Sequence, residues 1–303
     1  MTAGARSGIA ALTLTGVLWG SIGVVVRLLQ DGGVPTLSIA FWRLVCACAV
    51  LVPLLGAAGL RSVGAAARRP RRLAAVSVGS LVFQLLFFVA VRDAGVAVAT
   101  LIALGLAPVA LAVAEAVRDR VVPDARSLAV LACALAGLAL VTGAGGTAGP
   151  QPVLGVLEAA GSGLAYAAST AASGPLSTRL GPLAITFASS VVGAVLLAPA
   201  VLLTRADLPR TPTAAAGVVW LGVITTVVAY GLFYAGLRTT PGSVAMILTL
   251  LEPVTAVALA AVLLGERLTA PNVFGGALLV AAVAALYLRP PPRRADPGGP
   301  GVP

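Results

Sequence analysis

The chain has no lysine and no histidine, and only 10% of its residues are charged. Its 20 basic residues are all arginine, set against 10 acidic ones. Aromatic residues reach only 5%, and cysteine occurs three times in 303 residues. Each shortage excludes something. Soluble domains carry about 25% charged residues, so the composition argues against a water-soluble globular fold. Disorder needs low hydrophobicity, and this chain is 59% hydrophobic with a mean hydropathy of +1.05. Cys46, Cys48 and Cys133 all lie inside apolar runs; the first two point to different helix faces and form no CxxC. With no histidine to join them, neither a zinc site nor a disulfide is well served. No metal or cofactor is expected. The arginines fill short gaps between apolar runs and build no basic face, so no nucleic-acid partner is expected either. Exclusive use of arginine beside abundant Ala, Gly and Pro reads as the codon bias of a GC-rich genome.

Long apolar runs are what the chain does have. A helix crossing a hydrocarbon core needs about 20 apolar residues. Ten runs qualify: 8–29, 36–57, 73–91, 95–117, 127–145, 153–173, 182–204, 213–237, 242–264 and 271–288. Arg92 and Asp93 alone separate the third from the fourth, and Arg238, Pro241 and Gly242 separate the eighth from the ninth. Fusing either pair would give a helix about twice as long as a bilayer needs, so tight turns are expected. The first run is too long for a signal-peptide core and reads as an uncleaved span. Residues 289–303 (RPPPRRADPGGPGVP) read as a disordered tail. The expected class is an all-α membrane protein with ten transmembrane helices.

The gaps orient the chain. With the N-terminus in the cytoplasm, inside segments hold 14 arginines and outside gaps hold 5. That bias places both termini in the cytoplasm of a bacterial cell membrane, with the lipid bilayer as a partner. The chain also repeats itself at an offset of about 146. Trp19 pairs with Tyr166, Pro35 with Pro182, Phe87 and Phe88 with Phe233 and Tyr234, Arg92 with Arg238, and Pro108 with Pro253. Each half, 1–148 and 149–288, holds five spans. An odd number turns the second copy upside down, giving two inverted five-helix repeats of the kind found in secondary transporters.

The residues themselves resemble a known family. The first half carries LWGSIGVVVRLL (18–29) and PTLSIAFWRLVCACAVLVPLL (35–55). The second carries AYGLFYAGLRTTPGSVAMILTLLEPVTAVALAAVLLGERLT (229–269) followed by GGALL. A Trp-Gly-Ser in the first helix, an arginine in the second, and the order LEPV, LGERLT, GGALL resemble EamA-type permeases of the drug/metabolite transporter superfamily over about 9–288. The resemblance implies export or import of amino acids, related metabolites or drugs. The halves differ at two places: Ala107 stands where the second half has Glu252, and Arg118-Asp119-Arg120 where it has Gly265-Glu266-Arg267.

A charge at a helix centre costs about 2.5–3.5 kcal/mol, so each polar group within a span is a site candidate. Arg43 offers a guanidinium fork for a substrate carboxylate, or a partner for a buried glutamate. Glu252, beside the helix-breaking Pro253, could hold an amino group or a proton, or pair with Arg43. Trp19, Tyr166, Gln84, Tyr230 and Tyr234 are the expected walls of a substrate cavity; Tyr230 and Tyr234 share one helix face. Glu158 is a second proton-coupling candidate or an interfacial group. Glu115 is expected to pair with Arg118 one turn on. Glu266 and Asp119 are expected in turns or gating. Small residues at Gly16 and Gly20, Gly161 and Gly163, and Gly275-Gly276 allow close helix packing. No phosphate-binding loop is present, so ATP does not drive the protein directly. The expected function is secondary active transport, as an exporter of small metabolites by alternating access, with protons as the candidate coupling ion. An uncoupled facilitator or channel remains the alternative. An intramembrane transferase would need clustered acids or a nucleophile that the chain lacks, so no enzyme is expected.

Overall fold

The computed structural model describes residues 3–67, 71–143, 150–204, 211–265 and 267–288, and the tail expected at 289–303 lies outside them. All regular structure among the described residues is helical: α1 (Ala3–Asp31), α2 (Thr36–Ala67), α3 (Arg71–Ala94), α4 (Val96–Asp119), α5 (Ala125–Thr142), α6 (Pro152–Leu180), α7 (Pro182–Thr204), α8 (Pro212–Val219), α9 (Ala229–Gly236), α10 (Gly242–Thr249), α11 (Leu251–Leu264) and α12 (Ala270–Leu288). A π-helical segment, Trp220–Val228, joins α8 to α9.

The expected turn between the third and fourth spans sits at a glycine, the one between the eighth and ninth lies between Gly236 and Gly242 with Pro241 as the N-cap of α10, and a further glycine turn separates α6 from α7. Gly95, at φ 89°, separates α3 from α4, and Gly181, at φ 87°, separates α6 from α7. α2 outruns its apolar stretch: it kinks at Gly56 (φ 60°, ψ −176°) and continues to Ala67 through helix-forming residues beyond the hydrocarbon-length run. The ninth run breaks at Leu250, between α10 and α11. Pro253 has no N–H to offer the Thr249 carbonyl four residues back, so no α-helical hydrogen bond spans this point.

Nine helical runs among the described residues are long and apolar enough to cross a membrane. The expected sixth span falls in α6, which is long but less apolar. Ser162, Ser169, Thr170, Ser173 and Ser177 lower its hydropathy, and all five are buried. α6 packs on α3 and α4, so its hydroxyls face protein. Ser162 donates to the Phe83 carbonyl at 2.9 Å and Ser169 to the Val76 carbonyl at 3.0 Å, both on α3. Large apolar side chains such as Leu203, Val262 and Leu288 stand exposed on the outer surface, as a lipid-facing wall requires.

α1 seats itself on the broken ninth run. A Cβ on Gly16 would lie 3.1 Å from the carbonyls of Leu248 and Thr249, and one on Gly20 would lie 2.7 Å from the carbonyl of Glu252. The small-residue pair read from the sequence is therefore the contact surface for α10 and α11. α5 packs on α12, and α2 on α7.

Candidate functional site

Four of the expected site residues converge. Arg43 of α2, Gln84 of α3, and Tyr230 and Tyr234 of α9 line one cavity, closed on its far side by α7. Its volume is about 50 Å³. At roughly 10–15 Å³ per water position, that space holds a few waters or a very small molecule.

Arg43 donates from Nη2 to the Gln84 amide oxygen at 2.5 Å. Its Nε is buried without a partner. Gln84 reaches the Ser80 carbonyl one turn back with its amide nitrogen, at 3.4 Å, which fixes its oxygen toward the arginine. No ion pair links Arg43 to Glu252 in this structure. The ionisable side chain facing Arg43 is the Tyr230 phenol.

The other polar groups of the wall are hydroxyls, set beside apolar Ala40, Leu44, Leu81 and Leu197. Ser77 and Ser189 share a hydrogen bond of 3.2 Å, and Ser80 shares one of 2.9 Å with Ser169 behind it. Tyr234 lies beside Ser189 and Ser80 in the same wall. Thr186, Ser190 and Thr226 complete the polar lining. None of these was singled out from the sequence. A signal existed: Ser77, Ser80 and Gln84 recur at helical spacing on one face of α3, as do Thr186, Ser189, Ser190 and Gly193 on α7.

Trp19 and Tyr166 form a layer behind the cavity wall. The Trp19 ring lies 4.9 Å from Tyr230 and 5.3 Å from Phe233. Its indole N–H donates to the Thr225 carbonyl at 3.1 Å. That carbonyl is free because of the π winding: the Ala229 N–H, its partner in an α-helix, bonds Ile224 and Thr226 instead. Tyr166 stacks on Phe83 at 4.5 Å and lies near Thr249, at the end of α10.

Glu252 is half-buried at the start of α11, near Tyr166 and Tyr230, and is not part of the cavity lining. It makes neither a hydrogen bond nor an ion pair. Glu158 lies far from the cavity, in the second turn of α6. It sits beside Asp93, which is fully buried and held by Arg92 through two hydrogen bonds of 2.7 and 3.0 Å. One oxygen of Glu158 is buried without a partner.

At the other end of the bundle, Glu115, whose charge acts on Arg118 as expected, also reaches across to another helix. Both of its oxygens accept hydrogen bonds from the start of α10, from the Gly242 N–H at 2.9 Å and the Ser243 hydroxyl at 2.5 Å. The unsatisfied N–H groups and positive dipole end of α10 draw the carboxylate across the bundle. Arg118 makes its ion pair with its exposed neighbour Asp119, through hydrogen bonds of 2.7 and 2.9 Å, which fits a helix-end role for Asp119. Glu266 lies outside the described residues.

The arrangement now meets known proteins. The EamA-like transporter family matches the chain twice, over residues 6–143 and 153–288. The chain belongs to the EamA-like transporter family. This EamA-like chain is 32% identical over 274 residues to the uncharacterised transporter YwfM of Bacillus subtilis, covering 90% of each sequence. It is 30% identical over 282 residues to an uncharacterised transporter of Archaeoglobus fulgidus, covering 92% of this chain and 95% of that one. One solved crystal structure shares its fold with a TM-score of 0.78 at 21% identity, over 93% of this chain and 97% of its own. This member of the family is thus a multi-pass membrane protein whose relatives are transporters.

Proposed function

We propose that the chain is a secondary active transporter, an exporter of small metabolites such as amino acids or drug-like compounds, working by alternating access around the Arg43 cavity. The observation that carries this reading is the origin of the cavity walls. α2 and α3 come from residues 1–148, and α7 and α9 come from 149–288. A polar pocket shared by two halves can open to either side as the halves rock.

Packing supports an inverted duplication of five-span units with α6 as the tenth span, and the arginine distribution supports both termini in the cytoplasm. By the repeat offset, α2 lies on its own mate α7, and α5 on its mate α12. α6 lies on α3 and α4, as α1 lies on α9 and on the α10–α11 span. Gly163 of α6 fits against the Ala103 carbonyl of α4, the repeat counterpart of Gly16 against Thr249. Glu252, a carboxylate without a protein partner, is the first candidate for proton coupling, and Glu158 the second.

Reconstituted vesicles test this reading. Cargo should accumulate against its own gradient when a pH gradient is imposed, and Glu252→Gln should remove that dependence. Equilibration without accumulation would instead establish an uncoupled facilitator. Cysteines engineered at residues 60–66 and 211–213 in a cysteine-free background should label from opposite sides of the membrane. Labelling from one side would end the inverted-repeat assignment.

A further inference from the structure

The charge inventory of the cavity narrows its cargo. Arg43 brings one positive charge, and no carboxylate lines the wall. Its Nε is buried and donates to nothing, while Nη2 is held by a neutral amide. Around it stand Ser77, Ser80, Ser189 and Tyr234, all uncharged donor-acceptor groups. Tyr230 is the titratable side chain facing Arg43, and Glu252 lies on the other side of Tyr230, outside the lining. A buried guanidinium without a counter-charge is costly, and a ligand is the remaining source of one.

We propose that the cavity takes a small monocarboxylate whose other polar groups are uncharged hydroxyl or amide groups, with the cargo's carboxylate as the counter-ion of Arg43. This rests on the transport reading above and gives its cargo a chemical class. The planar fork of arginine matches a carboxylate through two parallel N–H donors, and Gln84 positions it by holding one nitrogen. A cation would meet Arg43 with no acid to offset the repulsion. A dianion, such as a phosphate monoester, would bring a second negative charge that nothing in the lining answers. An amino acid carries the right carboxylate, but its ammonium group would face only hydroxyls, because Glu252 stands outside the wall. The cargo's neutral groups replace water on the serine hydroxyls, each of which can donate or accept. The small volume fits a skeleton of a few heavy atoms.

Three probes of one skeleton and different charge test the assignment: glycerate, an anion; serine, a zwitterion; and serinol, a cation. Binding is read as thermal stabilisation of the purified protein in detergent, and flux as counterflow in reconstituted vesicles. Glycerate is expected to bind about tenfold or more tighter than serinol, with serine between them. Arg43→Gln should abolish the difference between glycerate and serinol, and Arg43→Lys, which keeps the charge without the fork, should retain part of it. Equal binding of the three by the wild type, tighter binding of serinol, or no binding of any would each overturn the proposal, whatever the variants do. Charge-selective binding that depends on Arg43, without counterflow, would uphold the cargo class and count against the transport reading.

Discussion

The fourth and ninth spans occupy matching places in the two halves, and each holds a proline. α4 runs unbroken through Pro108 from Val96 to Asp119, whereas its counterpart divides at Leu250, just ahead of Pro253. The third and eighth spans differ in the same direction: α3 is α-helical throughout, and its counterpart passes through nine residues of π-helix. Proline is common to both halves, so proline alone does not make the break. What differs is the residue before it. Ala107 is fully buried among apolar neighbours, while Glu252 is half-buried and points to no protein partner. Around Glu252 and Tyr230 the second half has irregular backbone, while the first half supplies the Arg43–Gln84 pair from α2 and α3, where the irregularity in α2 lies farther along at Gly56.

That contrast can be broken or sharpened by substitution. The largest effect is expected from Ala107→Glu, which gives the first half the acid it lacks. In a fully buried mid-span position the charge should cost about 2.5–3.5 kcal/mol, read as lost folded yield and a lower melting temperature. Wild-type stability would mean that the two sites differ for a reason other than burial. Next come Gly16→Leu and Gly163→Leu, which push side chains into equivalent close helix contacts. Each should destabilise by about 1–3 kcal/mol in thermal unfolding, and an effect confined to one would break the symmetry of the packing.

Pro108→Ala and Pro253→Ala each restore a backbone donor, for a gain of about 1 kcal/mol in stability. Transport should slow only in Pro253→Ala, because only there does the span break beside Glu252. The smallest effect concerns two caps at matching places. Asp124 caps α5 by accepting the Ser127 N–H at 2.9 Å, whereas Thr269 and Asn272, both neutral, cap α12. The Ser127 hydroxyl and N–H hold the Asp124 carboxyl below the usual carboxylate range. The charged form is therefore favoured in the folded state. Its stabilisation is present above the ordinary aspartate value of about 3.9 and lost as pH falls through the lower folded value. Hydrogen exchange should show α5 fraying in acid before α12, and Asp124→Asn should remove the difference.

The sequence made some of this visible because the relevant force is compositional. Apolar runs bounded by charge place the α3–α4 turn at Gly95, and the run ending at Leu55–Ala57 stops at the Gly56 kink. Arg43, Gln84, Tyr230 and Tyr234 stand out because a polar side chain in a span needs a reason to be there. The serines do not stand out. A Ser or Thr hydroxyl can satisfy itself on the carbonyl one turn back, as Thr15 does on Ala11 and Ser173 on Ser169, so its presence in a span says little about a cavity. Ser77 and Ser189 matter because α3 and α7 face each other, which is a tertiary fact. Glu115 was only half legible for a related reason: a neighbour three residues away is visible in the chain, and the start of α10, 127 residues on, is not. The π-helix has no composition of its own.

That wide turn has a mechanical corollary. Its surplus acceptor at Thr225 is taken by the indole of Trp19, and the Thr15 hydroxyl shares its one proton between the Ala11 carbonyl at 2.9 Å and the nearby Ala229 carbonyl at 3.1 Å. Two rivets thus fasten the first span to the eighth just where the eighth is loosely wound. Any rewinding of that coil would have to shear both, so the pair travels as one strut, carrying Tyr230 with it, whenever the protein changes shape.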